Sequence, residues 1–93
     1  MRIEIGGKRW KLKFCQLSKV AGECDRPDLV GKEIRISSKL KDKKKLDTLI
    51  HEILHALSWH QFDESWVSDS ATDLAEILWK FYREREQDDC PTK

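Results

Sequence analysis

Residues 46–57 read Leu46-Asp47-Thr48-Leu49-Ile50-His51-Glu52-Ile53-Leu54-His55-Ala56-Leu57, and this stretch decides the fold. Leu46, Leu49, Ile50, Ile53, Leu54 and Leu57 recur at intervals of three and four, the spacing of one apolar face on an α-helix. Embedded in it, His51 to His55 form an H-E-x-x-H motif. Residues four apart stand one above the other on a helix, so two imidazoles can grip one metal ion while Glu52 reaches a water held on it. This is the arrangement in which a helix binds zinc and uses the intervening Glu as general base. His51 and His55 are therefore candidate metal ligands and Glu52 the candidate catalytic base. The plain alternative is two polar histidines and a solvated glutamate on a helix surface, which leaves their spacing without a purpose.

A catalytic zinc takes three protein ligands and keeps one position open, so a third donor has to come from outside the motif. Glu64 is the first choice. It precedes Val67 by three residues and Ala71 by seven, which sets it on their inward face. It also opens a second helix, where a carboxylate suits the positive end of the helix dipole. His60, five residues after His55, is the main rival and would swing back from the turn. Asp73 lies deeper and is expected to hydrogen-bond the outer nitrogen of a ligating histidine. Asp69 points further outward.

Working outward from the motif, the first helix is expected over about 43 to Trp59, with a break at His60 to Phe62. Asp63 is a suitable N-cap for a second helix. On that helix Val67, Ala71, Leu74, Leu78 and Phe81 form the face expected to pack on the first, with Ile77 and Trp79 widening it. The helix should fade after Arg85 into a polar, flexible tail over 86–93. Upstream, Arg2 to Ile5 reads as a short strand closed by Gly6-Gly7, and Trp10, Leu12 and Phe14 alternate with Lys11 and Lys13 as a half-buried strand does. Ala21 to Asp25 is a third strand candidate, weakened by Gly22. Glu33 to Ser37 alternates again, with Ile34 and Ile36 inward. The fold class predicted is α+β: a small, mainly antiparallel sheet of three or four strands (1–38) followed by two packed helices (43–85), all one domain over 1–93.

Eighteen basic and 17 acidic residues leave a net charge of +1, which disfavours a dedicated nucleic-acid binder or a membrane-surface protein. Five lysines fall within Lys39 to Lys45, but no aromatic residues interleave with them. They read as a solvated approach to the first helix rather than a phosphate-binding track. No stretch reaches the length of a membrane span, and the Met1 region lacks a signal-peptide apolar segment; a cytoplasmic setting is expected. Three cysteines, Cys15, Cys24 and Cys90, cannot all pair within one chain and form no C-x-x-C, so free thiols are expected there. Trp10, Trp66 and Trp79 are expected to be core or partly buried anchors, with Trp59 bordering the cleft.

Peptide hydrolysis also requires an oxyanion donor and a place to lay the substrate. Arg35 and His60 are candidate donors, whereas Tyr82 lies at the far end of the second helix. The strand around Ile34 to Ser37 is a candidate edge against which a peptide could add.

The stretch from Gly31 to Phe81 resembles small zincin-like proteins encoded by phages and prophages, metallopeptidases of a minimal gluzincin type. The likeness runs through Lys32-Glu33-Ile34-Arg35-Ile36, Leu46 to Ala56, Asp63-Glu64 with Val67, Ala71-Thr72-Asp73-Leu74-Ala75 and Leu78-Trp79, and Gly22-Glu23-Cys24-Asp25 resembles a piece of the family's N-terminal sheet. It implies a compact sheet and two helices, Zn2+ held by His51 and His55, and Glu52 as base. It implies an acidic downstream ligand, favouring Glu64, while His60 departs from the usual pattern. It also implies a phage origin, hence the host cytoplasm, with a peptide or protein substrate and a phage or host protein as partner. The alternative from another class is a zinc-stabilised, non-catalytic protein-binding module, which would keep both histidines without needing Glu52.

Overall fold

The computed structural model describes residues 1–59 and 61–87. Four strands come first, β1 (Arg2–Ile5), β2 (Lys8–Cys15), β3 (Gly22–Cys24) and β4 (Glu33–Ser37), followed by helices α1 (Asp42–Ser58) and α2 (Glu64–Gln87). Gly6 and Gly7 join β1 to β2 with φ of 58° and 78°. Two successive left-handed residues make the tight turn that matches the twist of a hairpin, and glycine adopts it without strain.

The sheet order is β1-β2-β4-β3. β1–β2 and β3–β4 are antiparallel, with Ile3 opposite Trp10 and Gly22 opposite Ile36. The central pair, β2–β4, is parallel and sets Leu12 beside Ile34. The expected α+β fold is present, with antiparallel pairs on both sides of one parallel pairing. One expectation is corrected: β4 (Ile34 to Ser37) is not an edge. The chain passes beyond β4's place to form β3 and returns between β3 and β2, so β3 holds the edge. A parallel pairing needs such a crossover, and alternation within a strand carries no sign of it.

Trp10, Leu12, Ile34 and Ile36 point to one side of the sheet and are buried, the two isoleucines completely. Ala56, Leu49 and Ile53 of α1 close over them. The opposite side of α1 presents Leu46, Ile50 and Leu54 to Ala71 and Ala75 of α2. α2 packs on α1 and not on the strands, so α1 is held between the sheet and α2. The motif thereby sits on the most enclosed element of the chain.

The packing face of α2 differs from the one expected. Val67, Ala71 and Ala75 are buried, whereas Leu74, Leu78 and Phe81 are 40%, 45% and 63% exposed. Small residues one turn apart let the helix axes approach closely, and alanine contributes little to an apolar periodicity. Length adds to this. At 1.5 Å per residue, the 24 residues of α2 span about 36 Å against about 26 Å for the 17 of α1. Its C-terminal part therefore overruns its partner, and the molecule measures 48 × 27 × 27 Å.

Other expectations resolve residue by residue. Asp63 caps α2 as predicted, its Oδ1 accepting the Trp66 N–H at 2.9 Å. Trp10 is core, but Trp66 is 44% exposed and stacks on Phe62. Lys43 pairs with Glu76, and Lys45 lies over the Phe14 ring, so part of the lysine-rich segment is engaged within the chain. Cys15 and Cys24 are free thiols. The 88–93 part of the expected tail, Cys90 included, lies outside the described residues. No helix among the described residues is long and apolar enough to cross a membrane.

Candidate metal centre

His51 and His55 lie on successive turns of α1, half-buried, with ring centroids 4.8 Å apart and their Nε2 atoms separated by 3.1 Å. The turn after α1 brings the first residue of α2 back over them. Glu64 spans both rings, with Oε2 at 2.9 Å from His51 Nε2 and Oε1 at 3.1 Å from His55 Nε2. His51, His55 and Glu64 are thus brought together as a group with one donor atom each, all within 4.8 Å.

Is this a hydrogen-bond cluster or a cation cradle? Neutral imidazoles protonated on Nε2 would each donate to one Glu64 oxygen, but would set two N–H groups side by side 3.1 Å apart. A metal ion instead accepts lone pairs from all three residues at once. In a tetrahedral site with bonds of about 2.0–2.1 Å, adjacent donors stand about 3.3 Å apart. The two imidazole nitrogens, 3.1 Å apart, stand close to that, and each lies 2.9–3.1 Å from its own oxygen of the Glu64 carboxylate. The donor set fits a zinc-sized cation.

Glu52 follows His51 by one residue, about 100° around the helix, and so packs toward the sheet while lining the larger hollow together with His55 and Glu64. It is 8% exposed. Burial raises its carboxyl above the ordinary carboxylate range, the Glu64 and Glu23 charges add to the rise, and His51 opposes it. The surface it meets is β3. A Cβ on Gly22 would stand 2.9 Å from Thr48 Cγ2, 3.0 Å from Glu52 Cγ and 3.1 Å from Glu52 Oε2. Only a glycine lets β3 and α1 approach this closely. Gly22 belongs to the site, and the signal for it was available: an isolated glycine in a strand pattern marks a close approach.

Two hollows meet at Gly22 and Glu52. The larger, about 610 Å³, is walled by Cys24, His55, Trp59, Phe62 and Glu64; the smaller, about 370 Å³, by Lys44, Asp47, His51, Ser68 and Thr72. Trp59 borders the cleft as expected, while Cys24 and Phe62 were not foreseen as cleft residues. Burial pushes the Cys24 thiol up to about 12, with the Glu52 and Asp25 charges adding to it, and Cys24 is not one of the three clustered donors.

Several candidates lie elsewhere. Asp73 and Asp69 are exposed on α2 and take no part in the cluster. Arg35 projects from β4 on the side opposite Ile34 and Ile36. It is held there by Glu23, Asp25 and Glu33 at 2.7–2.9 Å, which removes it as an oxyanion donor. Tyr82 lines a separate hollow with Phe14 and Asp42. His60 lies outside the described residues.

The fold and the cluster together define a small α+β architecture of zincin-like form carrying a His/Glu site able to hold a metal ion. No family model matches this chain, nor does any curated protein or solved structure. The chemistry of the site therefore carries the functional reading.

Proposed function

We propose that this chain is a zinc-dependent peptidase-like hydrolase in which His51, His55 and Glu64 hold Zn2+ and Glu52 is the general base. The observation that carries the reading is the convergence of His51, His55 and Glu64, one donor atom each within 4.8 Å of the others, with a buried carboxylate beside them. Bound zinc would act as a Lewis acid on a carbonyl and lower the pKa of water. Glu52 would accept the proton of the attacking water and return it to the leaving nitrogen. Its raised proton affinity suits a base working nearer neutral pH. Trp59 and Phe62 supply an apolar wall to the larger hollow.

The substrate would be an extended peptide. β3, rather than β4, is the edge strand, and Gly22 and Cys24 line the cleft, so a peptide laid along β3 could pair with its free edge. A phage origin and a host-cytoplasm setting, implied by the resemblance of residues 31–81 to small zincin-like phage proteins, are part of this proposal.

The test is hydrolysis of unstructured peptides by zinc-loaded protein. Glu52→Gln should lower the rate about 10²–10⁴-fold while zinc stays bound. One observation favours the second reading, a non-catalytic zinc-stabilised binding module: the expected oxyanion donor Arg35 is turned to the far side of the sheet. Zinc-loaded protein that cleaves no peptide, yet binds one in a zinc-dependent manner, would select that reading.

A further inference from the structure

α2 carries a second apolar stripe that the fold does not use. Leu74, Ile77 and Phe81 are 40%, 61% and 63% exposed, and Leu78 beside them is 45% exposed. With Ser70 they step by four, three and four, which is the spacing of a coiled-coil seam. The stripe adjoins the side formed by Val67, Ala71 and Ala75, which faces α1, and turns outward from it through Leu74 to Ile77 and Phe81. Large neighbouring apolar side chains left in water mark a contact surface.

The charges beside the stripe identify what would cover it. Asp73 and Lys80, seven residues apart, flank the seam on one shoulder. One is acidic and the other basic. Flanking charges of this kind set partner choice and orientation in helix pairs. A parallel copy would set Asp73 against Leu78, leaving it without a charge partner. An antiparallel copy crossing near Ile77 brings Lys80 against Asp73, and symmetry makes the contact twice.

We propose that the chain self-associates through α2, two copies packing antiparallel about Ile77 with Leu74 and Phe81 exchanged across the seam. Ser70 and Glu84 bound the apolar part, so the contact is short and the dimer reversible. Ile77 lies 13 residues from Glu64, about 20 Å along the helix, which leaves the metal centre open in each copy. The proposal does not depend on what that centre does.

Sedimentation equilibrium over a concentration series tests it. The mass should rise with concentration from 11.0 kDa toward twice that value, and Ile77→Asp, a change at an exposed position, should hold it at the single-chain mass. Asp73→Lys should weaken association about tenfold, two favourable pairs becoming two like-charge pairs. Adding Lys80→Asp to it should restore the affinity. A wild-type chain that stays single throughout would overturn the proposal and leave the stripe to a different protein. So would association indifferent to Ile77→Asp, and failure of the paired reversal to recover would overturn the antiparallel geometry.

Discussion

Gly22 of β3 faces Glu52 of α1 so closely that a Cβ there would stand 3.0 Å from Glu52 Cγ and 3.1 Å from its Oε2. The position of the proposed base is thus fixed by the absence of a side chain on another element. Gly22→Ala must push Thr48, Glu52 or the strand aside. The expected result is a stability loss of about 1–3 kcal/mol, as for other overpacked sites, with zinc retained and peptide hydrolysis reduced. Equal activity in the variant and the wild type would show that the contact does not position Glu52.

The α1–α2 contact gives a prediction opposite to the one hydrophobicity suggests. Ala71 is fully buried and Phe81 is 63% exposed. Ala71→Leu should therefore cost about 1–3 kcal/mol in urea unfolding. At concentrations where the chain is single, Phe81→Ser should change stability by no more than about 0.5 kcal/mol.

The Arg35 cluster gives a pH dependence. The hydrogen bond from Arg35 holds the Asp25 carboxyl below its usual range, aided by the Glu33 N–H. Because the folded-state value lies below the unfolded one, the carboxylate contributes stability above the ordinary Asp pKa of about 3.9. That contribution fades as pH falls through the depressed folded value. Wild-type stability should drop more steeply on acidification below about pH 5 than that of Asp25→Asn. Parallel pH profiles would contradict the assignment.

Cys24 lines the cleft yet should resist alkylation. Its thiol is raised from 9.0 to about 12, so the thiolate fraction near neutral pH falls about a thousandfold. Labelling followed by peptide mapping should find Cys24 unmodified in the folded chain and modified after denaturation. Rapid labelling of folded protein would show that the thiol is not buried as described.

How far the sequence disclosed this arrangement depends on the range of the interaction. α1 and its two candidate ligands were legible because the periodicity of Leu46 to Leu57 and the His51–His55 spacing are local. Glu64 was legible because Asp63 caps a helix that has to begin beside His55. The place of β4 in the sheet was not, since it depends on a crossover that leaves no mark on Ile34 or Ile36. The packing face of α2 was misread because Ala75 is quieter in sequence than Leu78 or Phe81. Gly22 looked like a flaw in a strand, and only the nearness of Thr48 and Glu52 explains it.

The most direct test of the account is elemental analysis of untagged protein beside His55→Ala and Glu64→Gln, with folding checked by circular dichroism. One zinc per chain, lost in His55→Ala and weakened in Glu64→Gln, is the predicted result. A folded wild-type chain that takes up no zinc after reconstitution would contradict the metal centre, and with it the proposed hydrolase.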